Sequence, residues 1–159
     1  MLKVLSVLFI MLLSVANASQ IKSTMFQSVS KDNAILLQDG KEKKFCPRCG
    51  MDLVKFYKTS HSASIDNKTY QYCSFHCLVD HLREGASIDD PQVVDAKNLN
   101  FIDIREAYYV VGSKINGTMT RVSKYAFSSE NDAKEFKNEN GGEIMNFFEA
   151  MEIVKKDFE

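Results

Sequence analysis

The apolar residues of this chain form one long run at the N-terminus and shorter, periodic groups farther on. The run, Val4 to Val15, follows Lys3 and ends at Ala16-Asn17-Ala18, the small-x-small pattern that signal peptidase cleaves. It is shorter than the roughly 20 apolar residues of a transmembrane helix. We therefore expect residues 1–18 to be a signal peptide, the chain to be exported, and the mature protein to lack stable membrane insertion.

Residues 19–44 begin polar, hold one apolar stretch at Ala34 to Leu37, and end in the charged run Lys41 to Lys44. This pattern predicts a lead-in segment whose last part packs onto the module that follows. Farther on, Leu53 to Lys58 is rich in β-forming residues.

A β-hairpin and a helix are predicted next. The strands His61 to Ile65 and Thr69 to Cys73 flank the favourable turn sequence Asp66-Asn67-Lys68. Ser74 is a suitable N-cap for a helix that runs to about Glu84 and ends at Gly85. The apolar residues of that helix recur at helical spacing and would face the core: Phe75, Leu78 and Leu82.

The second half of the chain repeats this mixture of short strands and helices. A helix capped by Ser129 would end at Asn140-Gly141-Gly142, and a last helix would cover about Phe147 to Lys156. Strands are predicted at Val93-Val94, Phe101 to Ile104, Tyr108 to Val111 and Tyr125 to Phe127.

These elements predict an α+β fold of two small modules that share a core. The first, residues 45–86, would be a cysteine-rich module with a knuckle in front of a ββα unit, and the second would cover residues 87–159. The chain has 20 basic and 21 acidic residues, a formal net charge of −1, so no bulk field attracts nucleic acid. No acid–base pair or Ser-His-Asp set stands out, which argues against an enzyme.

All four cysteines lie in two pairs, Cys46 with Cys49 and Cys73 with Cys77. The first pair is separated by two residues on a tight turn, and the second is an i, i+4 pair at a strand-to-helix junction. A knuckle joined by a hairpin to a helix-start pair is a treble-clef-like way to place four sulfurs around one metal ion. Two disulfides remain an alternative in an exported protein.

A thioredoxin-like redox role for Cys46-Pro47-Arg48-Cys49 is less well supported. That chemistry needs the first cysteine at a helix N-terminus, where its pKa is lowered. Here Gly50 and a β-rich stretch follow the second cysteine, without a βαβ pattern.

Two methionines shift the expected metal from zinc towards copper(I). Zinc rarely takes a thioether, whereas copper(I) accepts thiolate and thioether together. In extended geometry Cys49 and Met51 lie on the same face of the chain. Met119, in a polar loop that contains Gly117, is a candidate third soft donor.

The histidines give weaker signals. His76 lies between Cys73 and Cys77, and His81 lies four residues after Cys77, so either is a possible nitrogen ligand. His61 could approach the knuckle from across the hairpin. A solvent-facing helix histidine is the alternative for the first two.

Cys46-Pro-Arg-Cys49-Gly-Met51, with Tyr72-Cys73-Ser74 at the end of a hairpin, resembles the NosL family of accessory proteins in nitrous oxide reductase maturation. The likeness continues in a second block, and it covers roughly Lys41 to Met151. That second block comprises Ala107 to Ser113, Gly117 to Met119, and Tyr125 to Ser129 opening a helix.

The resemblance implies two related βββα modules and a periplasmic copper(I) chaperone in denitrification. Its copper recipient would be the apo-enzyme of nitrous oxide reductase, whose copper-sulfide centre it would help to complete. Cys49, Met51 and Met119 match the family's copper-binding positions.

The sequence departs from the family pattern in two ways. It lacks a lipobox cysteine, so we do not expect lipid tethering, and it carries the pair Cys73 and Cys77. That pair could complete a four-sulfur zinc site, bind a second ion or form a disulfide. Two other functions therefore stay open: a structural zinc module for protein interaction and a thiol-disulfide oxidoreductase.

Overall fold

Two antiparallel sheets form the frame of residues 25–159. The computed structural model describes residues 25–159, so the predicted signal peptide and residues 19–24 lie outside the described part. The first sheet has the order β2-β1-β3-β4 and the second has the order β6-β5-β7. The strands are β1 His61–Ile65, β2 Lys68–Tyr72, β3 Asp89–Val94, β4 Phe101–Asp103, β5 Tyr108–Val111, β6 Lys124–Phe127 and β7 Glu143–Met145.

Three α-helices within residues 25–159 complete the α+β class that the sequence predicts, and this class is confirmed. They are α1 Phe75–Arg83, α2 Glu130–Asn140 and α3 Phe147–Lys155. Ser74, Ser129 and Asn146 cap them, each accepting a hydrogen bond from a backbone N–H in the first turn. Short 3-10 helices lie at Lys31–Asn33, Tyr57–Thr59 and Lys156–Phe158.

The predicted hairpin forms with a two-residue turn. Asp66 and Asn67 both have positive φ, 50° and 60°, as a type I′ turn requires, and Ile65 pairs with Lys68 across it. Asn and Asp tolerate this conformation better than most residues. The turn sets the register that places Cys73 directly after β2.

The strands group differently from the sequence-based modules. β3 and β4 pair with the first hairpin, so the sheets divide between Asp103 and Tyr108, whereas the predicted modules divide at residue 86. In addition, β7 was not anticipated, and the β-rich segment Leu53 to Lys58 forms turns and a 3-10 helix. The Asp52 carboxylate accepts hydrogen bonds from the backbone N–H groups of Val54 and Lys55 and turns the chain there.

One hydrophobic core joins the two sheets. Alternate residues of β5 face opposite ways: Tyr109 and Val111 enter the main core with α1 and α3, while Val110 enters a smaller cluster under α2. Of the lead-in segment, Leu36 packs on the main core and Phe26 on the smaller cluster. The second sheet therefore lies between α2 and the main core.

Buried Asp95 links the ends of the two sheets. Its carboxylate accepts hydrogen bonds from the Ser128 backbone N–H at 3.0 Å and hydroxyl at 2.5 Å, and from the N–H groups of Lys97 and Asn98. The neighbouring Ala96 N–H donates to the Ala126 carbonyl oxygen of β6 at 2.8 Å. This contact fixes the first sheet against the second.

His61 is a core residue and does not approach the cysteines as a ligand. Its ring is 1% exposed, stacks on Phe75 at 4.7 Å, donates from Nδ1 to the Thr59 carbonyl oxygen, and lies 3.3 Å from the Tyr109 hydroxyl. Burial lowers the pKa of His61 to about 3, against the weaker effect of the Thr59 hydrogen bond. The folded protein therefore keeps this ring neutral.

We predict that His61 makes the folded state less stable at mildly acidic pH. The unfolded chain takes up a proton on this ring near pH 6.5, whereas the folded chain does so only near pH 3, so stability is full above pH 6.5 and falls through this window. Between pH 7 and pH 5 the loss is about 2 kcal/mol. Chemical denaturation under reducing conditions measures it.

His61→Gln should lose this part of the pH dependence, and His81→Gln is the matched control that should keep it. Equal pH dependence in His61→Gln and the unaltered protein would contradict the prediction.

Candidate metal centre

The first two sulfurs are placed by a knuckle at residues 46–51. The Cys46 N–H donates to the Met51 carbonyl oxygen at 2.8 Å, and the Gly50 N–H donates back to the Cys46 carbonyl oxygen at 2.9 Å. Gly50 has φ +74°, a conformation that glycine adopts without strain. Phe45 and Asp52 form an antiparallel bridge at the base of the knuckle.

The other two sulfurs are placed by the junction between β2 and α1. Cys73 follows β2, and Cys77 lies in the first turn of α1, where its backbone N–H donates to the Ser74 hydroxyl at 3.3 Å. The Cys73 carbonyl oxygen accepts a hydrogen bond from the Thr59 hydroxyl at 2.8 Å. Hydrogen bonds of the buried backbone thus hold both cysteines in place.

The structure brings all four sulfurs together. The Sγ atoms of Cys46, Cys49, Cys73 and Cys77 lie within 4.8 Å of one another. Cys73 Sγ is 3.4 Å from Cys49 Sγ and 3.8 Å from Cys77 Sγ. All four cysteines are free thiols, since a disulfide needs about 2.05 Å between its sulfurs.

This cluster fits a soft metal ion. A tetrahedral centre with metal–sulfur bonds of about 2.3 Å has sulfurs about 3.8 Å apart, close to the separations found here. Met51 adds a thioether, with its Sδ 3.9 Å from Cys73 Sγ. The four cysteine sulfurs suit either copper(I) or zinc. Of these two metals, the methionine thioether suits copper(I) only.

One side of the cluster is more open than the other. Cys46, Cys73 and Cys77 are buried, with at most 2% of each exposed, whereas Cys49 and Met51 are half-buried. Any ligand exchange with another molecule would therefore begin at Cys49 and Met51.

The neighbouring thiols shift one another's pKa values. Hydrogen bonds from Cys73 and then Cys77 lower the pKa of Cys46 well below its ordinary value. The same contact with Cys46 raises the pKa of Cys73 and of Cys77, and burial adds to both. One thiolate is thus stabilised while its neighbours keep their protons, because several adjacent negative charges would repel each other. A bound cation replaces those protons.

Met119 lies on an exposed loop that is linked to the cysteine junction. Its side chain is 40% exposed and its backbone has φ +57°, which is unusual for a residue with a side chain. The residue before it, Thr118, is buried and its hydroxyl lies 2.8 Å from that of Thr59, which bonds Cys73. The loop of Met119 is therefore anchored to the cysteine junction, with the thioether left at the surface.

The two candidate histidine ligands point to other partners. His76 stacks on Phe158 at 4.3 Å, and its Nδ1 lies 3.7 Å from the Asp157 carboxylate. His81 Nδ1 lies 2.9 Å from the Tyr72 hydroxyl. Neither belongs to the group of potential ligand atoms around the four sulfurs.

Arg48 was missed by sequence reasoning, although it lies inside the first cysteine motif. Its guanidinium donates to the Asp80 carboxylate at 2.9 Å and 2.7 Å and to both carboxylate oxygens of Glu84 at 2.9 Å and 2.6 Å. Asp80 lies on α1, the helix that carries Cys77, and Glu84 is the C-cap residue of that helix. Arg48 therefore fastens the knuckle to the helix, so that the two halves of the cluster face each other.

Two carboxylates four residues apart on a helix lie on the same face, and this spacing is the sequence signal for such a contact. Asp80 and Glu84 have this spacing, but nothing in the sequence alone places Arg48 opposite them.

Comparison with known proteins points to one family. The model of the NosL family matches residues 38–154. The crystal structure of the copper chaperone NosL from Shewanella denitrificans matches with a TM-score of 0.57 and 24% sequence identity, over 71% of this chain and 93% of that chain. This likeness shows a shared fold. No curated protein matched the sequence.

Within residues 25–159, every helix is too short or too polar to span a bilayer.

We predict that Arg48→Ala weakens metal binding roughly tenfold, about 1.4 kcal/mol, because the knuckle and α1 then have to be brought together at the expense of binding. Cobalt(II), whose thiolate absorption reports on a four-sulfur site, is a suitable probe in an anaerobic titration. The cobalt(II) affinity of Arg48→Lys should lie between those of Arg48→Ala and the unaltered protein, since lysine keeps the charge but lacks the planar guanidinium group.

Lys97→Ala is the matched control because it removes another two-carboxylate contact, to Asp132 and Glu135, away from the cysteines. It should leave cobalt affinity unchanged. Unaltered affinity in Arg48→Ala would show that the halves of the site do not depend on this contact.

Proposed function

The chain belongs to the NosL family, and on this premise we propose that it is a periplasmic copper(I) chaperone. The observation that carries the proposal is the soft donor set, four thiols within 4.8 Å of one another with the Met51 thioether beside Cys73. Thiolate with thioether suits copper(I) better than any other common metal ion.

In this proposal copper is cargo and the protein is a carrier, not an enzyme. Cys49 is the anchoring thiolate at the open side, and Met51 is an exchangeable thioether. The buried thiols of Cys46, Cys73 and Cys77 serve as auxiliary ligands. A donor atom of the receiving protein replaces Met51 or Cys49 first, and the remaining thiolates regain their protons as copper leaves.

Met119 belongs to the proposal as a second exchangeable thioether. Its support is the anchored loop: Thr118 bonds Thr59 on one side, and the Lys124 ammonium donates to the Thr120 hydroxyl at 2.9 Å on the other. Met119 has a positive φ, its loop is anchored on both sides, and its side chain is exposed. This arrangement suits a ligand that moves onto bound copper.

The proposed recipient is the apo-enzyme of nitrous oxide reductase, whose copper-sulfide centre needs copper during maturation. Support for this recipient comes from family membership alone. Support for the periplasm comes from the signal-peptide pattern of residues 1–18.

A structural zinc module is the second candidate. The specific observation in its favour is the near-tetrahedral spacing of four thiols, three of them buried, as in closed zinc sites. A thiol-disulfide oxidoreductase has less support, because Cys46 begins a turn and not a helix.

We predict that Met51→Leu weakens copper(I) binding at least roughly tenfold, and that adding Met119→Leu weakens it further, since leucine keeps the size but not the donor atom. An anaerobic competition titration against a chromogenic copper(I) chelator measures the affinity. Met151→Leu, which changes a methionine packed on the core, is the matched control and should bind as the unaltered protein does.

The same variants separate the two candidates. A zinc module requires every cysteine and neither Met51 nor Met119, so zinc affinity should be unchanged in the methionine variants. If copper(I) affinity is unchanged as well, the thiolate–thioether site is wrong and zinc becomes the better proposal.

A further inference from the structure

A groove of about 590 Å³ lies beside the base of the cysteine knuckle. Its floor is apolar, with Val29, Leu36, Phe45 and Val54. Phe45 is 40% exposed, so part of its ring is accessible to a ligand in the groove. The volume of the groove falls within the range of ligand sites.

Three lysines stand around this apolar floor: Lys31, Lys44 and Lys55. All three are exposed, and within residues 25–159 none of them forms an ion pair. The carboxylate in the wall is Asp52, which already accepts two backbone hydrogen bonds. The groove is therefore locally positive on a chain whose net charge is −1.

The groove is continuous with the metal centre through the backbone. Phe45 and Asp52 form the bridge that closes the knuckle, and the Leu53 N–H donates to the Lys44 carbonyl oxygen at 2.7 Å. Phe45 also lines the next cleft, together with Cys46, Pro47 and Gly50. A chain bound in the groove would thus lie beside the base of the knuckle that carries Cys46 and Cys49.

We propose that this groove is the docking site for the metal-receiving partner, and that it binds an extended segment in which carboxylates flank at least one apolar side chain. The proposal rests on the carrier function above and adds the chemistry of the partner. Unpaired lysines around an apolar floor match such a segment in both charge and hydrophobicity.

Charge argues against the chain's own N-terminal segment as the occupant. Residues 1–24 contain Lys3 and Lys22 and no aspartate or glutamate. Like charges placed at the lysines of the groove would oppose binding. An acidic segment of another protein is the complementary occupant.

Docking in this groove would favour transfer of the metal to the partner. Positive charge beside the site raises the rate of encounter with an acidic partner, more strongly at low salt. The bound segment then holds the partner's own metal ligands near Cys49 and Met51, the open side of the cluster. Exchange becomes effectively intramolecular, which favours transfer over loss of free metal.

The test uses the reduced, metal-free full chain and a fluorescent peptide of alternating glutamate and leucine, followed by anisotropy. Lys44→Glu/Lys55→Glu should weaken peptide binding at least tenfold. Phe45→Ala should also weaken it, by a smaller factor. Lys134→Glu/Lys156→Glu, an equal charge change on α2 and the C-terminal 3-10 helix, is the matched control and should have little effect. Binding should also weaken as salt is raised.

Equal binding by the two lysine double variants would overturn the proposal, as would equal binding of a peptide with glutamine in place of glutamate. Binding that appears only in a chain starting at Met25 would assign the groove to the N-terminal segment and overturn it too.

A copper(I) titration of Lys44→Glu/Lys55→Glu keeps the two proposals apart. Its copper affinity should equal that of the unaltered protein, because the changed side chains are not ligands. If the unaltered chain fails to bind copper while the peptide still binds in this groove, the carrier function fails and the docking site stands.

Discussion

The ring of Phe75 connects the metal centre to everything around it. Phe75 opens α1 between the two cysteines of that junction, and its ring packs on His61 at 4.7 Å, Tyr109 at 5.5 Å and Phe147 at 5.4 Å. These partners come from β1, β5 and α3. Because Cys73 and Cys77 lie on either side of this ring, the packing of the whole core sets where their sulfurs point.

The metal centre thus has two supports of different character. From within, aromatic packing fixes the start of α1, and from outside the charged contact of Arg48 with Asp80 and Glu84 fixes the knuckle against the same helix. Salt does not screen the aromatic packing, whereas it weakens the partly exposed charged contact by screening. The half of the site that carries Cys49 is accordingly the more easily displaced, and it is also the open half.

Local signals in the sequence predicted most elements of the fold. Ser74 and Ser129 define helix starts because their hydroxyls accept backbone hydrogen bonds at caps, and Asp66-Asn67 defines a hairpin because both residues tolerate positive φ. Pairing across distance was not visible. That β3 joins the first hairpin depends on its pairing with β1, for example His61 with Val93, which no local pattern reveals.

The site followed the same division. Cysteine spacing predicted that four thiols converge, because a tight turn and one helical turn each fix a pair locally. The places of His61, in the core, and Met119, on a strained loop, depend on neighbours far along the chain. Arg48 was overlooked because its partners lie on another element.

The ring packing of Phe75 also sets an order of events during folding. All four cysteines lie between residues 46 and 77, yet Tyr109 and Phe147, which hold the start of α1, come much later in the chain. Closing a long stretch of chain costs more entropy than forming local contacts, and the thiols are present before the residues that orient them have been made. The cysteines are therefore most vulnerable to oxidation or a wrong metal in the newly made chain, before its last helix has docked.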